Sequence, residues 1–314
     1  MREAAREAKE DLKQQQREVA ERAVWRYELQ LRVLSTVHHE CGPRIDWDEI
    51  ANARPPAEPK PVNTRTLAVQ AEIDGYRPGL FAKLFGGEKK NRSRLAQALE
   101  DAKREDADET KGAREAYTEA CQDAEDAKVL ARAVLRGDVS RYLDALSGVS
   151  SFEELEGVAQ AVTAAPLRPD LVLVEIVLPS SDVVVPAEQF SLTKAGKLST
   201  KAMPKTRANE IYQDYACGAA LRACREVFAA LPVEWTFAIV RTNLLNATTG
   251  HTELAPVLSL VAPRRTVERL NFEALDPSDA MSNFTHRMGF KKSAGMTAIE
   301  AHTIGDMPEQ AGAD

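Results

Sequence analysis

Apolar and charged positions alternate with a helical period through the first forty residues. Apolar side chains recur every seven or eight residues, at Leu12, Val19, Tyr27 and Leu34, and no glycine or proline occurs before Gly42. This stripe predicts one long helix over residues 2–40 with a single apolar side. Gly42 and Pro43 follow, and both residue types end helices.

A second stretch, residues 89–135, keeps the helical period, but its apolar positions are mostly small. They include Ala98, Ala102, Ala113, Ala116, Ala120, Ala124 and Ala127. Small side chains let another helix approach closely but bury little surface, so this helix needs a partner. We therefore predict that residues 1–148 form a long Ala-rich, coiled-coil-like helical hairpin in which the two long helices pair. Self-association through the alanine stripe is the alternative.

Residues 44–62 connect these helices and change composition half-way. Trp47 and Ile50 suit one short helical turn, and four prolines follow between residues 55 and 61. Closely spaced prolines favour an extended, semi-rigid conformation, so we predict a proline-rich connector.

Three large apolar residues, Phe81, Leu84 and Phe85, lie at helical spacing between glycine and proline breaks and beside basic residues. Apolar and basic side chains together suit contact with a partner groove or a membrane surface. The segment is too short for strong membrane binding by itself, and we predict a site of contact with a partner or a membrane surface. Capping the end of the helical hairpin is the alternative.

After Gly157 the pattern changes to that of strands. The segment "LVLVEIVLP" (171–179) is apolar at most positions, which indicates a central strand, and "DVVVP" (182–186) suits another. Residues 234–245 and 252–263 flank "NATTGH" and predict a hairpin.

One helix over residues 205–231 separates these strands, and its alanines suit close packing on a sheet. Asp276 and Pro277 match the start of another short helix. The order of elements predicts an α+β domain over residues 149–302, with a mostly antiparallel sheet and one main packed helix. Residues 303–314 have little to bury, so we expect a disordered tail.

The segment "TKAGKLSTKAMPKTR" (193–207) does not match the sequence pattern of a phosphate-binding loop. Ser191 stands where the first glycine of such a loop belongs, and Leu198 stands where its serine or threonine belongs. A tight turn at Gly196 and a helix starting near Pro204 explain the segment better. Its basic side chains predict an anion-binding or partner-binding site, with a solvated sheet edge as the alternative; they are Lys194, Lys197, Lys201, Lys205 and Arg207.

Two groups of metal-ligand residue types are weak candidates. Asp170 and Glu175 are an odd number of residues apart on one strand, so they point to opposite faces and cannot share a nuclease-like metal ion. We expect Asp170 to close a turn and Glu175 to pair with a basic residue. His38 and Cys41 lack a second cluster at zinc spacing, so we interpret them as a polar helix end. We predict no metal, no cofactor and no catalytic residue.

The formal net charge of −7 does not favour electrostatic binding of nucleic acid over a large surface. No run of eighteen apolar residues and no apolar leader segment occurs, which predicts a cytoplasmic protein, and the Ala and Arg usage is typical of bacteria. We predict a non-enzymatic interaction or scaffold protein with a protein partner, a second copy being one candidate. The alternative is a nucleic-acid-binding or nuclease-like accessory protein that uses the basic side chains.

Overall fold

The computed structural model describes residues 2–77, 87–148 and 157–306 of the 314-residue chain. Two compact units are present. One comprises Met1–Asp46 together with Ala133–Asp314, and the other comprises Trp47–Arg132.

The described helices match most of the predicted positions. They are α1 (Arg2–Thr36), α2 (Trp47–Ala51), α3 (Thr64–Gly75), α4 (Gly87–Leu135), α5 (Tyr142–Ser147), α6 (Ser181–Val184), α7 (Lys205–Ala230), α8 (Arg264–Val267) and α9 (Pro277–Ala280). The strands are β1 (Ala161–Arg168), β2 (Leu171–Leu178), β3 (Glu188–Leu192), β4 (Leu198–Ala202), β5 (Trp235–Leu245), β6 (Thr252–Pro263), β7 (Thr285–Met288), β8 (Phe290–Lys291) and β9 (Gly295–Met296).

The main sheet has the order β1–β2–β5–β6–β7. Its neighbouring strands are antiparallel except β2 and β5, which run parallel and end with Leu178 opposite Thr242. The chain passes from β2 to β5 through α7, which packs on both strands. A mixed α+β fold with an antiparallel-rich sheet is therefore confirmed. Strand β2 has a neighbour on each side, as predicted for a central strand, whereas the parallel pairing of β2 with β5 was not predicted.

Close packing of α7 follows from its small residues. Ala216, Ala220 and Ala223 are fully buried, so the helix backbone lies near the sheet. Gly218 faces the segment after α1, where an added Cβ would lie 3.4 Å from Nδ1 of His38. The helix thus has the sheet on one side and the end of α1 on another.

Two strand assignments differ from the sequence prediction. Residues 182–186 were predicted as a strand, but Ser181–Val184 form the helical turn α6. Serine and aspartate in "SSD" favour a helix start over an extended chain, and this local preference prevails over the short valine run. Strand β1 has no apolar alternation strong enough to predict it, because it is an edge strand and contains Pro166 beside a register irregularity.

The unit Trp47–Arg132 is held together by contacts between α4 and residues 62–76. Asp106 of α4 accepts hydrogen bonds from the backbone N–H groups of Arg65 (3.3 Å) and Thr66 (2.8 Å), which caps the start of α3. Thr110 Oγ1 accepts from the N–H of Val62 at 2.9 Å, at the end of the proline-rich connector.

Helix α1 takes its main contacts from α7, β3 and β4, elements of its own unit. The surface that α1 packs on is thus formed by residues about 150 or more positions away. The predicted pairing of the two long helices stays a prediction. At the other end of the chain, residues 303–306 of the expected tail form a turn in which Asp306 accepts from the Thr303 N–H at 2.7 Å. Residues 307–314 lie outside the described residues.

Candidate interaction surface

The inner face of α1 packs on the β3–β4 hairpin and on α6. The Tyr27 ring meets the Phe190 ring of β3 edge-on at 5.8 Å between centroids. Gln30 Nε2 donates to the carbonyl oxygen of Val184 at 2.9 Å, while Ala20 and Leu34 are buried. These contacts give α1 a defined rotation about its axis, which determines what its other face presents to solvent.

The chain just after α1 is held by an arginine of α7. Arg225 donates to the carbonyl oxygens of His38 and His39, and its guanidinium lies 4.0 Å from the Phe272 ring centroid. His38, interpreted from the sequence as part of a polar helix end, is buried in the turn that follows α1. Burial is the main cause that lowers the pKa of His38 to about 4, so the ring is neutral at neutral pH.

A buried ion pair fixes the same segment from the other side. Arg222 and Glu226 of α7 lie 3.5 Å apart, with their side chains 3% and 0% exposed. Glu226 Oε2 accepts from the N–H of Gly42 at 3.1 Å, and Arg222 reaches Glu40 at 3.3 Å. The charge of Glu226 therefore anchors the residues that follow α1.

The opposite side of α1, which we call the outer face, carries three exposed large apolar side chains. Trp25, Leu29 and Val33, spaced by four residues, are 61%, 41% and 51% exposed. Leu12 and Val19 are also exposed, at 54% and 63%, but they lie about 120–140° around the helix from Trp25. One helix thus carries apolar side chains on two sides, one packed within its own unit and one open.

Leu12 and Val19 were predicted to share one stripe with Tyr27 and Leu34, and the helical positions agree, because Leu12 lies about 40° from Leu34 at 3.6 residues per turn. The first two members of that stripe are nevertheless exposed, whereas Leu34 is buried. The spacing of four among Trp25, Leu29 and Val33 was the signal that the analysis missed.

The basic side chains occupy an extended strip. Lys194 and Lys197 lie at the tip of the β3–β4 hairpin, where Gly196 has the positive φ of 73° that the turn prediction requires. Lys201 follows on β4, about 13 Å further along at 3.3 Å per residue. Lys205 and Arg207 begin α7, whose predicted start is confirmed. Such a strip suits an extended partner better than one small ion, and the predicted binding role stays a prediction.

The four lysines of the strip have no ion pair with any described residue, and Arg207 reaches Glu210 at 4.0 Å. The second predicted contact site, Phe81, Leu84 and Phe85, lies outside the described residues.

The nuclease-like carboxylates are both engaged by arginines. Arg168 binds Asp170 at 3.0 Å next to the turn before β2, and Arg241 of β5 binds Glu175 at 2.9 Å. The turn at Asp170 and the basic partner of Glu175 are as predicted, and the pairing of Asp170 with Arg168 is an addition. Across the described ranges, no group of three His, Cys, Asp or Glu side chains could hold a metal ion. Nor does any described helix combine the length and apolar composition that a membrane crossing requires.

Comparison with known protein families, curated protein sequences and solved structures finds no match to this chain. A functional inference must therefore rest on the surface and site geometry of the molecule itself.

Proposed function

We propose that this chain is a non-enzymatic interaction protein that binds a second protein helix through the outer face of α1. The supporting observation is the exposure of Trp25, Leu29 and Val33 on a helix whose inner face is already packed. Tryptophan is the residue type most enriched among energetic hot spots of interfaces. A rigid helix that carries it pays little ordering entropy on binding.

The dimensions and charges of the face favour another copy of α1 as the partner. From Trp25 to Val33 the face is about 12 Å long at 1.5 Å per residue, enough for a short stretch of side-by-side packing. Both charge signs occur on the same side of the helix just before this face, as the Glu18–Arg22 pair at 3.7 Å shows. Two antiparallel copies can therefore place acidic residues opposite basic ones. The area is modest, so we expect a dimer with a dissociation constant of roughly micromolar order.

The test is sedimentation velocity or light scattering across a concentration series. The chain should change from monomer to dimer, and the double variant Trp25→Gln/Leu29→Gln should remain monomeric. The matched control is Leu12→Gln/Val19→Gln, which changes two equally exposed apolar residues of the same helix that lie about 120–140° around it from Trp25. The control should dimerise like the parent chain.

Trp25 also provides a direct readout. Because its ring is 61% exposed, its emission should shift to shorter wavelength as the dimer forms. A parent chain that stays monomeric at high concentration would refute self-association. Equal dimerisation of parent and outer-face variant would show that another surface is used, the alanine stripe of α4 being one choice.

Nucleic-acid binding is the second candidate, and the observation that favours it is the strip of lysines that have no ion pair with a described residue. An extended row of free cations can follow a phosphate backbone. The net charge of −7 opposes it at long range.

A further inference from the structure

The β3–β4 hairpin forms a sheet of its own and leaves one edge of β4 open. Within the described residues this sheet has only two strands. The N–H of Thr193 donates to the carbonyl oxygen of Lys197 at 2.8 Å, and the N–H of Met203 donates to that of Ala187 at 2.9 Å. Bonding in an antiparallel pair alternates along each strand, so the odd-numbered residues of β4 bond to β3. The even-numbered residues therefore point their N–H and C=O groups away from β3.

These outward groups belong to Leu198, Thr200 and Ala202. No described residue bonds to them, and all three residues are exposed. Strand β4 keeps an extended conformation over its five residues, which is what an added strand requires for pairing. The edge is therefore a backbone template that the described part of the chain leaves unused.

The face of the edge that points towards α1 is apolar. Directly paired residues of an antiparallel sheet share a face, so Thr200 and, two positions away, Leu198 lie on the same face as Phe190. Phe190 contacts Tyr27 of α1, which identifies this face. A groove of about 520 Å³ lies there between α1 and the tip of the hairpin, and Val19 and Leu198, 63% and 40% exposed, line it. Apolar side chains of an added strand would pack in this groove.

The opposite face of the edge is basic. Lys197 and Lys201 occupy odd positions and so project to that side, while Lys194 and Lys205 extend the row at its two ends. Residues 193–207 contain five basic residues and no acidic one. Lysines on an edge repel a like-charged edge, which disfavours a second copy of this hairpin as the partner. An acidic strand is attracted instead.

We propose that the free edge of β4 binds an extended segment of a partner protein in which acidic and apolar residues alternate. The segment pairs antiparallel with Leu198, Thr200 and Ala202, places its apolar side chains towards α1 and places its acidic side chains beside Lys197 and Lys201. This surface differs from the outer face of α1, so it goes beyond the proposed function and does not depend on it.

Fluorescence anisotropy of a labelled peptide titrated with the full chain tests the proposal. The probe Glu-Val-Glu-Val-Glu-Val-Glu should bind, and Val-Val-Glu-Glu-Glu-Glu-Val, of equal composition and charge, should bind about fivefold or more weakly because it lacks the alternation. In the proposed pairing the valine N–H groups face β4 and the glutamate N–H groups face away. Methylation of the valine nitrogens should therefore abolish binding, whereas methylation of the two inner glutamate nitrogens should preserve it.

Two sets of variants place the site on the chain. Thr200→Pro removes an outward N–H and should abolish binding, whereas Thr200→Ala keeps that N–H and should retain the parent affinity. Lys197→Gln/Lys201→Gln should weaken binding by roughly five- to tenfold, the loss of two exposed ion pairs. The matched control Lys291→Gln removes an exposed lysine of β8, outside the hairpin, and should bind like the parent chain.

Several results would each overturn the proposal: no binding of the alternating peptide, equal binding of the two peptide orders, or no loss on methylation of the valines. Equal affinity of Thr200→Pro and Thr200→Ala would do the same. Tighter binding of single-stranded oligothymidylate that Thr200→Pro leaves intact would assign the lysines to nucleic acid instead. Melting temperatures show whether Thr200→Pro is folded, and the methylated peptides test the same hydrogen bonds on the parent chain. Trp25→Gln/Leu29→Gln should bind the peptide normally, so this proposal and the dimer can fail separately.

Discussion

Replacing Arg222 by methionine tests whether a buried ion pair holds the segment that follows α1 in position. The substitution removes the partner of Glu226, whose side chain is 0% exposed, and leaves its carboxylate with the N–H of Gly42 at 3.1 Å. Methionine keeps most of the volume of the arginine stem, so the change is mainly electrostatic.

The expected cost follows from the depth of the pair. Removing one partner of a buried ion pair typically costs about 3–5 kcal/mol, because the remaining charge stays away from water. Replacing both partners by apolar residues of similar volume is often neutral. The double variant Arg222→Met/Glu226→Leu should therefore recover most of the stability that Arg222→Met loses.

Urea unfolding of the full chain in a Trp47→Phe background measures this cost. Trp25 and Trp235, both in the unit that contains the sheet, then report alone. The parent, the two single variants and the double variant complete a mutant cycle. A cost below about 1 kcal/mol for Arg222→Met, or additive single effects, would refute the account of a coupled buried pair.

Three further predictions follow from single features. Asp106→Ala should lower the thermal stability of the Trp47–Arg132 unit, which Trp47 emission would show. Burial opposes ionisation of Asp106, but hydrogen bonds from Thr66 and Arg65 lower its pKa, so the stabilisation by Asp106 exists above about pH 4 and is lost on further acidification. Gly137→Ala should cost about 1–2 kcal/mol in urea unfolding, since Gly137 has φ of 75° and the new Cβ would lie 3.0 Å from Pro169; no change would refute the strain. If the basic strip binds an acidic partner or nucleic acid, the affinity should fall as the salt concentration rises, which a gel-shift assay can check. Glutamine at Lys197, Lys201, Lys205 and Arg207 should weaken binding without lowering the melting temperature, which calorimetry can check.

Much of the fold was predicted from sequence patterns within short segments. The β5–β6 hairpin was predicted from two apolar runs around "NATTGH", and the structure pairs those runs from Trp235 opposite Pro263 to Leu245 opposite Thr252. Asp276 was predicted to cap α9, and it accepts from the N–H groups of Ser278 and Asp279. In each case the residues that determine the structure lie within about ten positions of one another, so pattern and turn chemistry suffice.

Contacts between distant parts of the chain could not be predicted from such local patterns. The parallel pairing of β2 with β5 joins residues more than sixty positions apart, and α1 contacts α7 nearly two hundred positions away. A helical period shows that α1 has an apolar side but does not say which surface covers it. The alanine stripe of α4 was the predicted partner, and the structure shows that α7 and the β3–β4 hairpin contact α1.

The proposed outer face shows how far a sequence can reveal an interaction surface. Trp25, Leu29 and Val33 repeat every four residues, so their common face could have been predicted, but only the packing of Tyr27 and Leu34 shows that this face is the open one. The step in the sheet has no linear motif. It arises because β2 stops at Leu178 while the parallel strand β5 continues to Leu245, and a pairing of strands more than sixty positions apart leaves no local pattern in the sequence.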